Sequence, residues 1–431
     1  MLNGTIRISG SKNVVTKAVI AACLTNEPVT LKNVSEISDN QALLEIIESI
    51  GGTVERGDGQ VTITVGDITN HELSLEEGAR VRTSSMFLAP LLLRVKKAIV
   101  PNPEGCRLGA RSIERHIEGL EMMGAKIEYR SEDGYYHAST EGLVGTTYRF
   151  DKNTHTGTET LIMAATLAKG TTTIENAAEE HEIDDLIKLL NSMGAKIQRV
   201  ENRKIVIEGV EKLHGTTYEI VSDANEFVTF AILSVLSGGN ITLTNAPLDN
   251  VGIFLEELKK CGVDFEKKDD GIRFFAPDGI KPSDVVTACE PGFKTDWQGP
   301  WAILMTQAEG VSTIHESIYE NRFGYVPELK KMGAKIESYD PQVDNPKDFY
   351  NFNYDPNSSY RQAIRITGPQ KLHNAILKIT DLRAGATLVI GALLADGESV
   401  LFGIEHIERG YEKLLRRLQD VGAKMEEAEE D

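Results

Sequence analysis

Nowhere in the 431 residues does an apolar run approach the roughly 18 residues that span a bilayer, so no membrane partner is expected. The opening stretch, Met1 to Ile8, lacks the basic and apolar regions of a secretory signal, and a cytoplasmic location is expected. Only four cysteines occur, Cys23, Cys106, Cys261 and Cys289, and none has C-x-x-C spacing, so neither a zinc site nor a disulfide framework is indicated. The nine histidines show no H-E-x-x-H pattern, and no metal or cofactor is expected. Cations are in deficit: 46 Lys and Arg stand against 65 Asp and Glu, a formal charge of -19 that would repel nucleic acid. An anionic small substrate would need Arg and Lys gathered in a cleft, where near charges outweigh the screened background. Hydrophobic residues at 41% and charged residues at 26% suit an ordinary globular protein of two or three domains.

What the chain does have is a short phrase used six times: an apolar residue, Gly, a small residue, a polar one and an apolar one. The copies are Ile50-Gly51-Gly52-Thr53-Val54, Met123-Gly124-Ala125-Lys126-Ile127, Met193-Gly194-Ala195-Lys196-Ile197, Cys261-Gly262-Val263-Asp264-Phe265, Met332-Gly333-Ala334-Lys335-Ile336 and Val421-Gly422-Ala423-Lys424-Met425. An amphipathic helical pattern precedes each glycine, as with Leu186, Leu189, Leu190 and Met193, and a short alternating strand is expected after it. Gly ends a helix well because it adopts the left-handed conformation without a Cβ clash.

A second phrase, a small apolar helix followed by a turn and a β-branched strand, is clearest from Ala164 to Asn176. It recurs from Ala21 to Asn33, Ile232 to Asn245, Leu304 to Glu316 and Gly391 to Gly403. The glycines lie roughly 70 residues apart, too far for a solenoid repeat, so the pattern predicts six copies of a small α/β module. Three modules per domain would give two similar domains with a ligand cleft between them. The last interval is longer because Asp340 to Tyr360, rich in Asn, Asp, Pro and aromatics, reads as an inserted loop.

Two stretches carry chemistry on their own terms. Ser9-Gly10-Ser11-Lys12-Asn13 leads into an apolar helix, whose free N-H groups and Lys12 would attract an anion; a bland Ser cap is the alternative. In Pro101 to His116, Gly105 and Gly109 bracket Cys106, with Arg107 and Arg111 close by. A mobile, electropositive loop makes a thiol reactive and lets it donate a proton near neutral pH. The alternative role for a thiol, a small core hydrophobe, suits Cys23 and Cys261 better than Cys106.

Taken together, Lys12-Asn13, Gly105-Cys106-x-x-Gly109-x-Arg111, Thr295-Asp296, Glu320-Asn321-Arg322, Asp381-Leu382-Arg383 and Arg409-Gly410-Tyr411 resemble the UDP-N-acetylglucosamine 1-carboxyvinyltransferase family of enolpyruvyl transferases. The resemblance runs in order along nearly the whole chain. It implies an α/β fold of two inside-out domains, each of three repeated βαβαββ-like modules, spanning 12–222 and 1–11 with 223–431. It also implies two small-molecule substrates, phosphoenolpyruvate and UDP-N-acetylglucosamine.

By the same resemblance, Lys12, Arg82, Arg111, Arg322, Arg383 and Arg409 hold the phosphate and carboxylate of phosphoenolpyruvate. Arginine suits this because its planar fork makes paired bonds to both groups. Asp296 is implied as the acceptor of the sugar hydroxyl proton, and Cys106 as the loop thiol that assists proton transfer and product release and that fosfomycin alkylates. Asn13, Ser112, Ile113, Glu114, Lys152, Thr154 and Thr156 are implied around the nucleotide sugar, and Ile318 and Asp381 as further substrate-binding residues.

The chain departs from the family pattern at Glu104 and Ser112, at Glu114 in place of Asp, at Lys294 in place of Pro, and in the turn Asn153 to Thr156. These departures leave the phosphoenolpyruvate side intact and fall on the acceptor side and the loop. An enolpyruvyl transferase for another acceptor, and a UDP-sugar-binding paralogue without turnover, are the alternative readings.

Overall fold

The computed structural model describes residues 2–102, 113–238, 240–268 and 271–428. The chain forms two compact units, Gly10–Val221 and Met1–Ser9 with Ser222–Asp431.

In the Gly10–Val221 unit, the strand Val29–Lys32 pairs in parallel with Thr216–Glu219 and antiparallel with Gln60–Thr64, which continues to Thr53–Gly57. Lys97–Pro101, Tyr135–Thr140 and Ala125–Arg130 make an antiparallel three-stranded sheet. Thr147–Arg149 lies parallel to Thr171–Glu175, which pairs with Lys204–Glu208 and, through it, Lys196–Glu201. The other unit repeats the design. Gly4–Arg7 runs parallel to Ile241–Thr244 beside Gly271–Phe275 and Asp264–Lys268; Val285–Val286 joins Gly310–His315, Ala363–Gly368 and Lys335–Tyr339; and Ile376–Lys378 pairs with Val400–Phe402.

Both cores are helical at the centre. In the helix Ala224–Leu236 every residue from Ala224 to Val235 is buried, and the helices His155–Thr166 and Leu382–Leu394 are buried over most of their length. A helix that is apolar on every side belongs inside a core, which is why these stretches lack the one-sided pattern of a surface helix. The amphipathic helices, such as His181–Ser192 with Leu186, Leu189 and Leu190 buried, present a polar face to solvent instead.

All six glycines of the repeated phrase end a helix in the left-handed region, with φ between 88° and 101°. Five are followed by a strand, each paired antiparallel with the next strand. The expected strand after Gly422 is missing among the described residues: Ala423 to Ala428 has no neighbouring strand there to supply backbone partners, and an isolated extended segment does not hold itself. The stretch from Asp340 to Tyr360 contains the short helix Pro346–Phe349 and an aromatic stack in which Tyr350, Tyr354 and Tyr360 follow one another at 5.6 and 5.0 Å.

Candidate active site

Several candidate residues sit at the N-terminal end of an inner helix. Lys12 and Asn13 open the helix Lys12–Ala21, Arg82 opens the turn Arg82–Phe87 that leads into the helix Leu88–Val95, and Thr154 caps His155–Thr166. In the second unit, Asp223 caps Ala224–Leu236, Asp296 sits in the turn Thr295–Trp297 before Gln298–Met305, and Asp381 caps Leu382–Leu394. Helix starts expose unpaired N-H groups and the positive end of the helix dipole, so each presents a setting favourable to anions.

In the unit Met1–Ser9 with Ser222–Asp431, three such starts meet at Asp296. Its Oδ1 pairs with Arg322, and its Oδ2 accepts from Arg383 at 3.2 Å and from the Asn225 amide at 3.0 Å. Asn225 in turn accepts from the Trp297 indole at 2.9 Å. Arg383 also donates to the Tyr411 hydroxyl at 3.3 Å, which bonds Thr229 at 2.7 Å. Burial opposes the charge on Arg383, but Asp296, Tyr411 and Asp223 together outweigh it and the pKa lies above the ordinary arginine value. Arg322 is raised in the same way, by Asp296 and Glu316 against burial. Both guanidinium groups are buried, at 7% and 8% exposure, where an unpaired cation would cost several kcal/mol, roughly. Asp381 spends one carboxylate oxygen on the Arg383 and Ala384 N-H groups and so fixes the root of the Arg383 side chain. Ile318 is buried and donates its N-H to Glu316 at 2.7 Å, and Arg409 ends the short helix Glu405–Glu408, half-buried.

In the Gly10–Val221 unit, Lys12 Nζ meets Asp39 Oδ2 at 2.8 Å, with the lysine side chain only 15% exposed. Ser11 stands at the N-cap, but its side chain makes no cap bond; its backbone carbonyl accepts from Val14 and Val15 instead. Asn13 is half-buried one residue further on. His116, on the helix Glu114–Met122 that starts at Glu114 just after the buried Ile113, bonds Thr156 through Nε2 at 3.0 Å. Burial and then the charge of Arg82 push this imidazole down to about 3, so it is neutral at physiological pH. The Arg82, Ile113–Glu114 and Thr156 segments therefore neighbour one histidine. Thr154 accepts from the Gly157 N-H at 3.3 Å, and the Lys152 N-H donates to Asp151, which also pairs with Arg115.

Cys106, Arg111 and Ser112 lie outside the described residues. Among the described cysteines, Cys23 and Cys261 are buried. Asp39, His116, Asn225 and Glu316 were not singled out from the sequence, because each acts on a partner distant along the chain. One signal did exist. Glu316 closes the second repeated phrase where Asn33, Asn176 and Asn245 close other copies. Among the described residues no helix is long and apolar enough to cross a membrane, and no group of three or more His, Cys, Asp or Glu is arranged to hold a metal ion.

Comparison with known proteins adds an independent line. The family EPSP synthase (3-phosphoshikimate 1-carboxyvinyltransferase) matches residues 1–418. The UDP-N-acetylglucosamine 1-carboxyvinyltransferase of Solibacter usitatus is 41% identical over 430 residues, covering 99% of this chain and 97% of that protein. The protein of the same name from Ruegeria pomeroyi is 37% identical over 429 residues, 99% of this chain and 96% of that one. Among solved structures, the enolpyruvyl transferase NikO from Streptomyces tendae superposes with a TM-score of 0.85 at 24% identity, over 98% of this chain and 95% of that one. That likeness establishes the fold.

Proposed function

Because the chain belongs to the UDP-N-acetylglucosamine 1-carboxyvinyltransferase family of enolpyruvyl transferases, we propose that it carries the enolpyruvyl group of phosphoenolpyruvate to the 3'-hydroxyl of UDP-N-acetylglucosamine and releases phosphate. In this reading it catalyses the first committed step of peptidoglycan precursor synthesis, in the cytoplasm and without a cofactor. The sugar oxygen attacks C2 of the enol while C3 gains a proton, giving a tetrahedral adduct that still bears the phosphate. Loss of a proton from C3 and departure of phosphate restore the enol.

The observation that carries the reading is the convergence of Arg322 and Arg383 on the single carboxylate of Asp296. Asp296 is the group that takes the hydroxyl proton. On doing so it loses its charge, and both guanidinium groups are freed from their anionic partner to hold the charge that builds on the phosphate as it leaves. Hydrogen bonds aimed at developing charge are the largest single contribution in many enzymes. Lys12, Arg82, Arg111 and Arg409 complete the hold on phosphate and carboxylate, with Cys106 assisting proton transfer. Asn13, Ser112, Ile113, Glu114, Lys152, Thr154 and Thr156 serve the nucleotide sugar, with Ile318 and Asp381 as further substrate-binding residues.

The test is phosphate release from phosphoenolpyruvate across a panel of UDP-sugars and shikimate 3-phosphate. Release with UDP-N-acetylglucosamine alone is expected. Release only with shikimate 3-phosphate would move the acceptor to the other branch of the family, and binding of the UDP-sugar without any release would make the chain a non-catalytic paralogue.

A further inference from the structure

We propose that Glu316 is the positioning residue that sets the orientation of Arg322, an inference that rests on the reading of Arg322 as a phosphoenolpyruvate ligand. Glu316 is fully buried just after the strand Gly310–His315. Its Oε1 accepts the N-H groups of Ile318 at 2.7 Å and Tyr319 at 3.0 Å. Its Oε2 accepts the Thr295 hydroxyl at 2.7 Å and the Gln298 amide at 3.0 Å.

Arg322 makes no direct hydrogen bond to Glu316 among those described, yet its surroundings lead back there. Its Nη1 donates to the Thr295 hydroxyl oxygen at 2.6 Å, its guanidinium lies 5.1 Å from the centre of the Tyr319 ring, and its carbonyl accepts from Gln298 at 3.0 Å. Thr295, Tyr319 and Gln298 are three of the four residues whose donors Glu316 collects. The Thr295 hydroxyl has one proton. Because that proton points to Glu316, a lone pair is left facing Arg322, and the guanidinium receives an acceptor where a reversed hydroxyl would present a competing donor.

The repeat sharpens the argument. At the matching end of three other modules Asn33, Asn176 and Asn245 close the strand with φ from 52° to 56°, each amide donating to a neighbouring carbonyl. In those modules a neutral amide at a left-handed position closes the strand, whereas Glu316 holds the same place without that backbone conformation. Placing a carboxylate there costs desolvation that structure alone does not require. Burial pushes Glu316 up, and the charge of Arg322 is the largest influence opposing it. Gln362, also fully buried, braces the same loop by donating to the Glu316 and Tyr319 carbonyls, both at 2.9 Å, and accepting the Asn321 N-H at 2.7 Å.

The experiment compares Thr295→Val, Thr295→Ser and Glu316→Gln with the wild type, measuring phosphate release with each substrate varied in turn and the thermal shift produced by phosphoenolpyruvate. Thr295→Val should raise the phosphoenolpyruvate KM about tenfold or more, the scale of a charge-assisted hydrogen bond, and leave the UDP-sugar KM within about threefold. Thr295→Ser should restore it, and Glu316→Gln should follow Thr295→Val. A folded Thr295→Val enzyme with an unchanged phosphoenolpyruvate KM overturns the inference while leaving the functional reading standing, as does a Thr295→Ser enzyme equally impaired. A wild type that neither turns over nor shifts with phosphoenolpyruvate overturns both. Should Glu316→Gln fail to fold, the threonine pair decides alone.

Discussion

Arg383 Nη2 lies 3.2 Å from Asp296 Oδ2, although 87 positions separate the two residues along the chain. Neither could be held at that depth alone. A buried guanidinium needs an anion and a half-buried carboxylate needs donors, and here the starts of two inner helices deliver both to the same point. The pairing also limits what either residue can do: Asp296 cannot change charge without altering the hold on Arg383 and Arg322.

Removing Arg383 should therefore affect substrate more than fold. In Arg383→Ala the carboxylate keeps Arg322 and Asn225, while phosphoenolpyruvate loses a charge-assisted partner. The phosphoenolpyruvate KM should rise about 10- to 150-fold, and Arg383→Lys should recover only part of this because an ammonium lacks the planar fork. Steady-state kinetics with folding checked by circular dichroism measure it. Unchanged kinetics would remove Arg383 from the site.

Fosfomycin should stop turnover by labelling Cys106 alone. Burial pushes the Cys23 and Cys261 thiols up to about 12, so almost no thiolate exists on either near neutral pH. Peptide mass spectrometry of the treated protein reads the site directly. A label on Cys289 or Cys23 would contradict the role given to the Gly-flanked loop.

His155 should make stability depend on pH. Its Nε2 lies 3.2 Å from the fully buried Glu159, which also faces Lys17 at 3.4 Å. Burial and Lys17 act against the imidazolium, but Glu159, aided by Glu180, outweighs them and raises the pKa. A raised histidine stabilises fully below its unfolded value of about 6.5, and that contribution is lost as pH rises through the folded value. The difference in Tm between wild type and His155→Gln should accordingly shrink from pH 5.5 towards alkaline pH, as differential scanning fluorimetry would record. A gap that widens with pH is the contrary result.

Gly124→Ala and Gly194→Ala separate backbone strain from packing at equivalent turns, with φ of 98° and 99°. A Cβ at position 124 would meet nothing nearer than a carbonyl oxygen at 3.7 Å, whereas at position 194 it would lie 2.9 Å from His214 Nε2. The first should cost about 1–2 kcal/mol from the left-handed backbone alone, and the second more. Urea midpoints give both values, and equal losses would show that His214 moves aside freely.

How legible the molecule was varied with the range of the interaction. The six glycines announced helix ends correctly because a left-handed backbone is a local demand that Gly meets at its own position. The strand after Gly422 was misjudged because a strand depends on a neighbour, which no alternation pattern supplies. Thr154 was implied as a ligand of the nucleotide sugar, and the structure finds it also capping its helix through the Gly157 N-H, with its neighbour Thr156 joined to His116. The candidate arginines were visible only as members of a motif set, since an isolated Arg in sequence is most often a solvated surface charge. Glu316 could have been caught as the one acidic residue at a position where three other modules place Asn.

The order of residues along the chain was enough to specify the recurring glycine-terminated helix, written six times, and the strand that follows it in five of the six, because each is set largely by neighbours within a few residues. The chemistry of charge was settled in three dimensions, where Lys12 meets Asp39, Arg322 and Arg383 share Asp296, and Glu316 stands behind Arg322. The reason is physical. Coulomb and hydrogen-bond energies depend on separation in space, and long-range strand pairing such as that of Gly4–Arg7 with Ile241–Thr244 sets that separation without leaving a mark on the charged residues themselves.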